Sequence, residues 1–246
     1  MTVLQTAASS RFSRRTVFKS AGVVGLGMTI GQARLIHSLA QEAPDLQSII
    51  NIAATAESLA VTLYGHAVES AEQGGYDQEV PEAVITIVDA ARTAEYYHLE
   101  YLLEAGAEPL TQTFTVPDPA LLTSYELLFT TAVQLETAFI AAYIAAARAF
   151  TALEQPELVK TALSVAAVEG EHRVLANYAL GVRPANNIGF APALFGTVEE
   201  AAQALTELGF IGGAGAEVTY PGGGGPVDRS LTNLRSVSGP SVVCTA

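Results

Sequence analysis

The central part of the sequence contains four long segments with helical periodicity, and each carries a glutamate inside its apolar stripe. Apolar residues recur there every three or four positions, which keeps their side chains on one face of an α-helix. In two segments a histidine follows the glutamate three positions later, on the same face. The ionisable residues on these faces are Glu57, Glu95, His98, Glu136, Glu169 and His172. A core that contains them must compensate their charge, because an unpaired buried charge costs several kcal/mol.

Start and stop signals divide residues 45–181 into four helices, and hydrophobic residues, 50% of the chain, are ample for a core. The predicted helices run from Asp45 to Gly74, from Pro81 to Gly106, from Asp118 to Leu153 and from Pro156 to Gly181. Asp118 and Pro119 form a typical N-cap and first-turn proline for the third helix. No stretch between these limits shows the strict alternation of an exposed strand.

The lengths of the connections predict how the helices are arranged. Short links join the first helix to the second and the third to the fourth, so each pair should form an antiparallel hairpin. The segment AGAEPLTQTFTVPDPA, residues 105–120, is too long for a tight turn and can cross the length of a bundle. The expected fold class is therefore all-α, a four-helix bundle with one long crossover.

Two divalent cations would compensate the buried charges. Four glutamates and two neutral histidines balance two such ions, and oxygen with imidazole ligands suits iron or manganese. Both members of each Glu-x-x-His pair can reach the same ion, while Glu57 and Glu136 can complete or bridge the pair. The alternative is a metal-free core in which raised pKa values keep the carboxyl groups protonated.

Residues 45–181 resemble the ferritin-like superfamily of carboxylate-bridged di-metal proteins, on the ordered pattern Glu, Glu-x-x-His, Glu, Glu-x-x-His along successive helices. The resemblance implies two iron ions as cofactors, with two manganese ions as the alternative. It also implies O₂ or peroxide as partners, in oxidation of Fe(II) or removal of peroxide in an extracytoplasmic stress role. A manganese-catalase-like enzyme and a non-catalytic stress or envelope protein that keeps the bundle are the alternatives.

Two tyrosines, Tyr64 and Tyr143, follow Glu57 and Glu136 by two helical turns on the same faces. They could donate hydrogen bonds close to the metal ligands or carry a radical, or they could be ordinary core tyrosines. Many relatives have an acidic residue just before the glutamate of Glu-x-x-His, where this chain has Ala94 and Val168. The groups that would orient His98 and His172 are therefore not apparent from the sequence.

Residues 1–40 contain five basic residues and no acidic residue. SRRTVFK, residues 13–19, supplies paired arginines; a short apolar run, residues 21–31, follows; and SLA, residues 38–40, offers small residues for cleavage after Ala40. This order resembles a twin-arginine export signal and predicts a periplasmic, envelope or extracellular protein. The apolar run is shorter than the roughly 20 residues that span a bilayer, so we expect no stable membrane span in the mature form. The alternatives are a basic tail and a membrane-anchoring helix.

Residues 182–246 read as a C-terminal extension, Gly/Pro-rich and mostly irregular, that packs on the bundle or on a neighbouring subunit. It contains one predicted short helix, residues 197–208, with Thr197 and Glu200 as a capping box. Because this tail would hinder a large cage, we expect a homodimer or small homo-oligomer. The net charge of −13 argues against nucleic acid as a partner.

Overall fold

The computed structural model of the protein describes residues 45–232, and this part of the chain is mainly helical. The prediction of an all-α bundle is confirmed. The predicted export signal lies outside the described residues. Four long helices form the bundle: α1, Leu46–Glu72; α2, Glu82–Glu104; α3, Tyr125–Ala152; and α4, Pro156–Ala179.

Local sequence signals set most of the helix ends. The side chain of Asp45 caps α1 by accepting a hydrogen bond from the backbone N–H of Ser48, at 2.7 Å. Pro156 occupies the first turn of α4, where its missing N–H leaves no bond unmade. Gly74 and Gly181 follow α1 and α4 with φ of 65° and 76°, a left-handed conformation that glycine adopts at little cost.

The α1–α2 and α3–α4 hairpins are the most closely packed helix pairs. Each buries its glutamate-bearing stripe between the two hairpins, together with large apolar side chains such as Leu59, Leu99 and Phe139. Residues 105–124 run between α2 and α3, so the long connection predicted from the sequence joins the two hairpins.

The third long helix begins later than the sequence predicts. Asp118 does act as a cap, since its side chain accepts a hydrogen bond from the N–H of Ala120, but it caps only a 3₁₀ turn, Pro119–Leu122. The chain then bends, and α3 starts at Tyr125. Asp77, from the α1–α2 connection, fixes this start because its carboxylate accepts the N–H of Tyr125, at 3.0 Å. A long-range contact therefore decides a boundary that the capping signal alone misplaces.

A short antiparallel sheet, which the sequence does not predict, ties the C-terminal extension to the crossover. Strand β1, Thr113–Val116, pairs with β2, Ala216–Thr219, and Phe114 lies opposite Val218. Phe114 and Val116 are fully buried, so the strand also closes one side of the core. Four paired residues anchor a segment whose composition indicates irregular structure.

The predicted short helix of the extension is present as α5, Val198–Glu207. Thr197 accepts a hydrogen bond from the N–H of Glu200, as in a capping box, but the Glu200 side chain accepts from Gly196 rather than from Thr197. The apolar face of α5, which includes Val198 and Leu205, packs across α1 and α3.

A glycine-rich strap, residues 221–226, packs against α1 and α2. Arg92 of α2 is only 1% exposed and donates hydrogen bonds to the carbonyl oxygens of Gly224, at 3.0 Å, and Gly225, at 2.5 Å. Gly65 of α1 permits the close approach, because a Cβ there would lie 2.5 Å from the carbonyl oxygen of Gly223. The strap therefore depends on a buried cation and on a glycine inside a helix.

Two of the described helices, α1 and α3, are long and apolar enough to cross a membrane. Within each, most of the apolar window is buried in the bundle, 67% for α1 and 56% for α3. Core helices of globular bundles meet the same criteria, so these helices are weak evidence for a membrane span.

Candidate metal centre

The bundle brings all six predicted site residues together at its centre, from four different helices. Glu57 lies on α1, Glu95 and His98 on α2, Glu136 on α3, and Glu169 and His172 on α4. The four carboxylates are at most 2% exposed and His172 is 6% exposed, whereas the His98 side chain is 14% exposed. Solvent therefore comes closest to the cluster at His98.

The six residues form two overlapping groups, and within each group the possible ligand atoms lie within 4.8 Å of one another. One group is Glu57, Glu95, His98 and Glu169, and the other is Glu95, Glu136, Glu169 and His172. Glu95 and Glu169 belong to both groups. Glu57 and Glu136, called the outer glutamates below, each belong to one group. The sequence allowed Glu57 and Glu136 either to bridge two ions or to complete the ligands of one. Their membership of a single group each favours the second role.

Both histidines present Nδ1 to the carboxylates. The Nδ1 atom of His172 is 2.7 Å from Glu95 Oε1 and 3.3 Å from Glu169 Oε2. The Nδ1 atom of His98 is 3.2 Å from Glu95 Oε2 and 3.4 Å from Glu169 Oε1. Each histidine thus contacts the glutamate of its own Glu-x-x-His pair and the one on the neighbouring helix.

One oxygen of each of the four carboxylates is buried without a hydrogen-bond partner. These atoms are Glu57 Oε2, Glu95 Oε1, Glu136 Oε2 and Glu169 Oε1. Three of these oxygens lie within ion-pair distance of a histidine Nδ1, and the closest is Glu95 Oε1, 2.7 Å from His172 Nδ1. Buried carboxylate oxygens without donors are unfavourable unless a cation neutralises them, so the donor set fits divalent metal ions.

The electrostatics of the metal-free cluster show the strain of four neighbouring carboxylates. Burial, together with repulsion from Glu95 and Glu169, raises the pKa of both Glu57 and Glu136 well above the usual value. Burial also acts to raise the pKa of Glu95, but His172, together with hydrogen bonds from His98 and Glu57, outweighs burial and holds that pKa well below the usual value. Without a cation, the two outer glutamates therefore retain protons that metal binding would displace.

Burial acts on the pKa of the two histidines in the opposite direction. Burial alone would lower the pKa of His98 and His172, because it disfavours the imidazolium. The acidic side chains around each histidine, Glu57, Glu169 and Glu95 at His98 and Glu95, Glu169 and Glu136 at His172, together reverse this effect. Both histidine pKa values therefore lie well above the usual one. In the metal-free protein the imidazolium ions thus partly compensate the glutamates.

The two tyrosines on the stripes contact the cluster in a crossed arrangement. The hydroxyl of Tyr64 on α1 donates a hydrogen bond to Glu136 Oε1 on α3. The hydroxyl of Tyr143 on α3 donates one to Glu57 Oε1 on α1. Burial and the nearby carboxylates raise both tyrosine pKa values well above the usual one, so both hydroxyls keep their protons. Each outer glutamate is held by the tyrosine of the facing helix.

The structure also buries a cation that the sequence did not single out. Arg173 follows His172 and is 9% exposed; it donates hydrogen bonds to Thr137 and Asn187. Its position after a predicted ligand gave no signal, since arginine is usually exposed. His66, by contrast, lies outside the cluster and pairs with Glu69 at 3.6 Å.

The fold and site define a class of protein, a four-helix bundle with a central carboxylate and histidine cluster that could hold metal. A family model described as a ferritin-like domain matches residues 45–182, more than half of the chain. The chain therefore belongs to the ferritin-like domain family, as its resemblance indicated. No curated protein matches the chain, and no solved structure does.

Proposed function

We propose that the protein binds two iron ions and oxidises Fe(II) with O₂ or peroxide. The observation that supports this proposal is the pair of overlapping groups, which share two glutamates and leave one oxygen of each carboxylate without a hydrogen bond. A pair of ions with two shared carboxylates is the arrangement of di-metal helical bundles. Two manganese ions, and with them catalase-type chemistry, are the alternative for the same donor set.

The proposed ligand roles follow from the membership of the two groups. Glu57 and His98 would hold one ion, Glu136 and His172 the other, and Glu95 with Glu169 would contact both. Two bound Fe(II) ions would each supply one electron. Two electrons and two protons reduce one hydrogen peroxide to two waters.

The chain itself would orient the ligands and limit access of water. The hydroxyls of Tyr64 and Tyr143 hold one oxygen of each outer glutamate, which leaves the second oxygen of each without a protein partner. The four carboxylates are almost fully buried, so water does not compete strongly for the ligand oxygens. Fe(II) and peroxide, which are polar, would enter beside His98, the most exposed of the six residues.

The metal content of the folded protein tests this proposal. We expect about two iron or manganese ions per chain in the wild type and their loss in Glu95→Ala/Glu169→Ala, which removes both shared carboxylates. Glu171→Ala is the matched control, because Glu171 lies on α4 next to the site but is exposed. A wild type that takes up neither Fe(II) nor Mn(II) would refute the di-metal proposal. Metal binding without any reaction with O₂ or peroxide would favour the non-catalytic stress or envelope protein.

We also propose that the protein is exported through the twin-arginine route and acts outside the cytoplasm. The support is the order of paired arginines, a short apolar run and small residues before position 41. Replacement of Arg14 and Arg15 by lysine should leave the protein in the cytoplasm, as measured by cell fractionation. Unchanged export of this Arg14→Lys/Arg15→Lys variant would contradict the proposed route.

A further inference from the structure

A cavity lies between α1, α3 and α5, next to the proposed metal centre. Its lining comes from all three helices, and more than half of the lining residues are alanines. The small side chains explain the cavity, because α5 packs across α1 and α3 without filling the space between them. On α5 the lining includes Ala201 and Ala202, and on α3 it includes Ala142.

The cavity is apolar, and one of its lining residues connects it to the cluster. Every lining residue is aliphatic or aromatic, and Tyr143 is the only one with a polar side-chain atom. The Tyr143 hydroxyl is already engaged, since it donates its hydrogen bond to Glu57. Ala56, another lining residue, directly precedes Glu57 in α1. A molecule in the cavity would therefore be close to one of the two proposed ion positions.

The size and lining of the cavity select its occupant. Its volume is about 30 Å³. One water needs roughly 10–15 Å³ of such space, so the cavity has room for a molecule of two or three heavy atoms. The cavity is partly open, but its lining offers water no free polar partner, and apolar cavities take up apolar gases more readily than water. Dioxygen fits both conditions, whereas hydrogen peroxide does not.

We infer that this cavity holds dioxygen and supplies it to the metal centre, separately from the polar route that Fe(II) and peroxide would take. The inference rests on the proposed function, since it names how one substrate of the same site arrives. The cavity can be filled without changing any proposed metal ligand. Filling the cavity should therefore impair the reaction with O₂ and leave the reaction with peroxide unaffected.

The test fills the cavity from the cover helix with Ala201→Leu. The matched control is Gln203→Leu, which places the same side chain on the exposed face of α5. Crystals of the metal-loaded protein under xenon pressure should show xenon in the cavity of the wild type and of Gln203→Leu but not of Ala201→Leu. In Fe(II) oxidation, Ala201→Leu should raise the half-saturating O₂ concentration severalfold and leave the half-saturating peroxide concentration and the metal content unchanged.

Several outcomes would overturn the inference. These are an empty wild-type cavity under xenon, wild-type O₂ dependence in a variant whose cavity is filled, and an equal shift for peroxide and O₂. If Ala201→Leu does not fold, Ala142→Val fills the same cavity from α3 with a smaller change. A wild type that binds no metal would refute the proposed function whatever xenon does. A metal-loaded wild type that reacts with O₂ but takes up no xenon would refute only the cavity's role.

Discussion

Each outer glutamate of the cluster accepts a hydrogen bond from a tyrosine of the facing helix. Tyr64 and Glu57 share α1, and Tyr143 and Glu136 share α3, yet the hydrogen bonds cross between the two helices. The sequence places both tyrosines on the correct stripes, because two helical turns return to the same face. It could not pair them with the right glutamates, since that pairing depends on how α1 and α3 lie against each other.

The crossed pairs predict that each tyrosine supports one proposed ion position. Tyr143→Phe removes the donor to Glu57 and should weaken binding of one metal ion roughly 10- to 100-fold, the usual effect of losing a hydrogen bond to a ligand. Tyr64→Phe should do the same at the other position, through Glu136. A metal titration followed by calorimetry should then show one tight and one weakened site in each variant.

The matched control for these two substitutions is Tyr125→Phe. Tyr125 is also a buried tyrosine of α3, but its hydroxyl donates to the carbonyl oxygen of Ala179, away from the cluster. We expect it to bind both ions with wild-type affinity. Equal weakening in all three variants would mean that the tyrosines act through general stability rather than through the glutamates.

At the scale of elements, the sequence predicts what depends on neighbouring residues and misses what depends on distant ones. The stripes of α1 to α4 and the capping residue Thr197 are local signals, and they give the helices correctly apart from the start of α3. Strands β1 and β2 pair across about a hundred positions of sequence and are too short to show a period. Burial of Arg92 is equally invisible, because it requires the glycine-rich strap to lie over α2.

Replacing a helix glycine by alanine should change the stability in opposite directions at Gly65, which contacts the strap, and at Gly170, which does not. Gly65→Ala would put a Cβ 2.5 Å from the backbone oxygen of Gly223, so it should destabilise the protein by about 1–3 kcal/mol. Gly170→Ala, in the interior of α4, meets nothing within 4 Å and should stabilise it by about 0.5–1 kcal/mol. Urea denaturation of both variants measures the two signs.

A second measurement separates release of the strap from a change elsewhere in α1. Proteolysis should cut residues 221–226 faster in Gly65→Ala than in the wild type, because the strap can no longer lie against α1. Gly170→Ala should be cut at the wild-type rate. A stabilised Gly65→Ala, or one with unchanged cleavage, would show that the strap does not pack on α1 as described.

For the whole molecule, the buried cluster predicts that stability responds to pH in opposite directions with and without metal. Burial raises the pKa of Glu57 and Glu136, so the folded metal-free protein keeps protons that the unfolded chain releases above about pH 4.5. The raised pKa values of His98 and His172 act in the same direction above about pH 6.5. Since the folded state then holds more protons, stability should fall as pH rises. Glu95 opposes this only at lower pH, because its own pKa is lowered.

Metal binding reverses the slope, because the ions bind deprotonated carboxylates and neutral imidazoles and compete with protons. We therefore expect the Tm of the chelator-treated protein to fall between about pH 5 and pH 8, and the gain in Tm on adding Mn(II) to grow over the same range. The control is Glu57→Gln/Glu136→Gln, in which the amides mimic protonated carboxyl groups. This variant should lose the metal-dependent gain and show a shallower fall without metal, while the repulsion among its other negative charges is unchanged. Parallel pH curves for the metal-free wild type and this variant would show that the outer glutamates do not hold protons in the folded protein, and that metal binding has none to displace there.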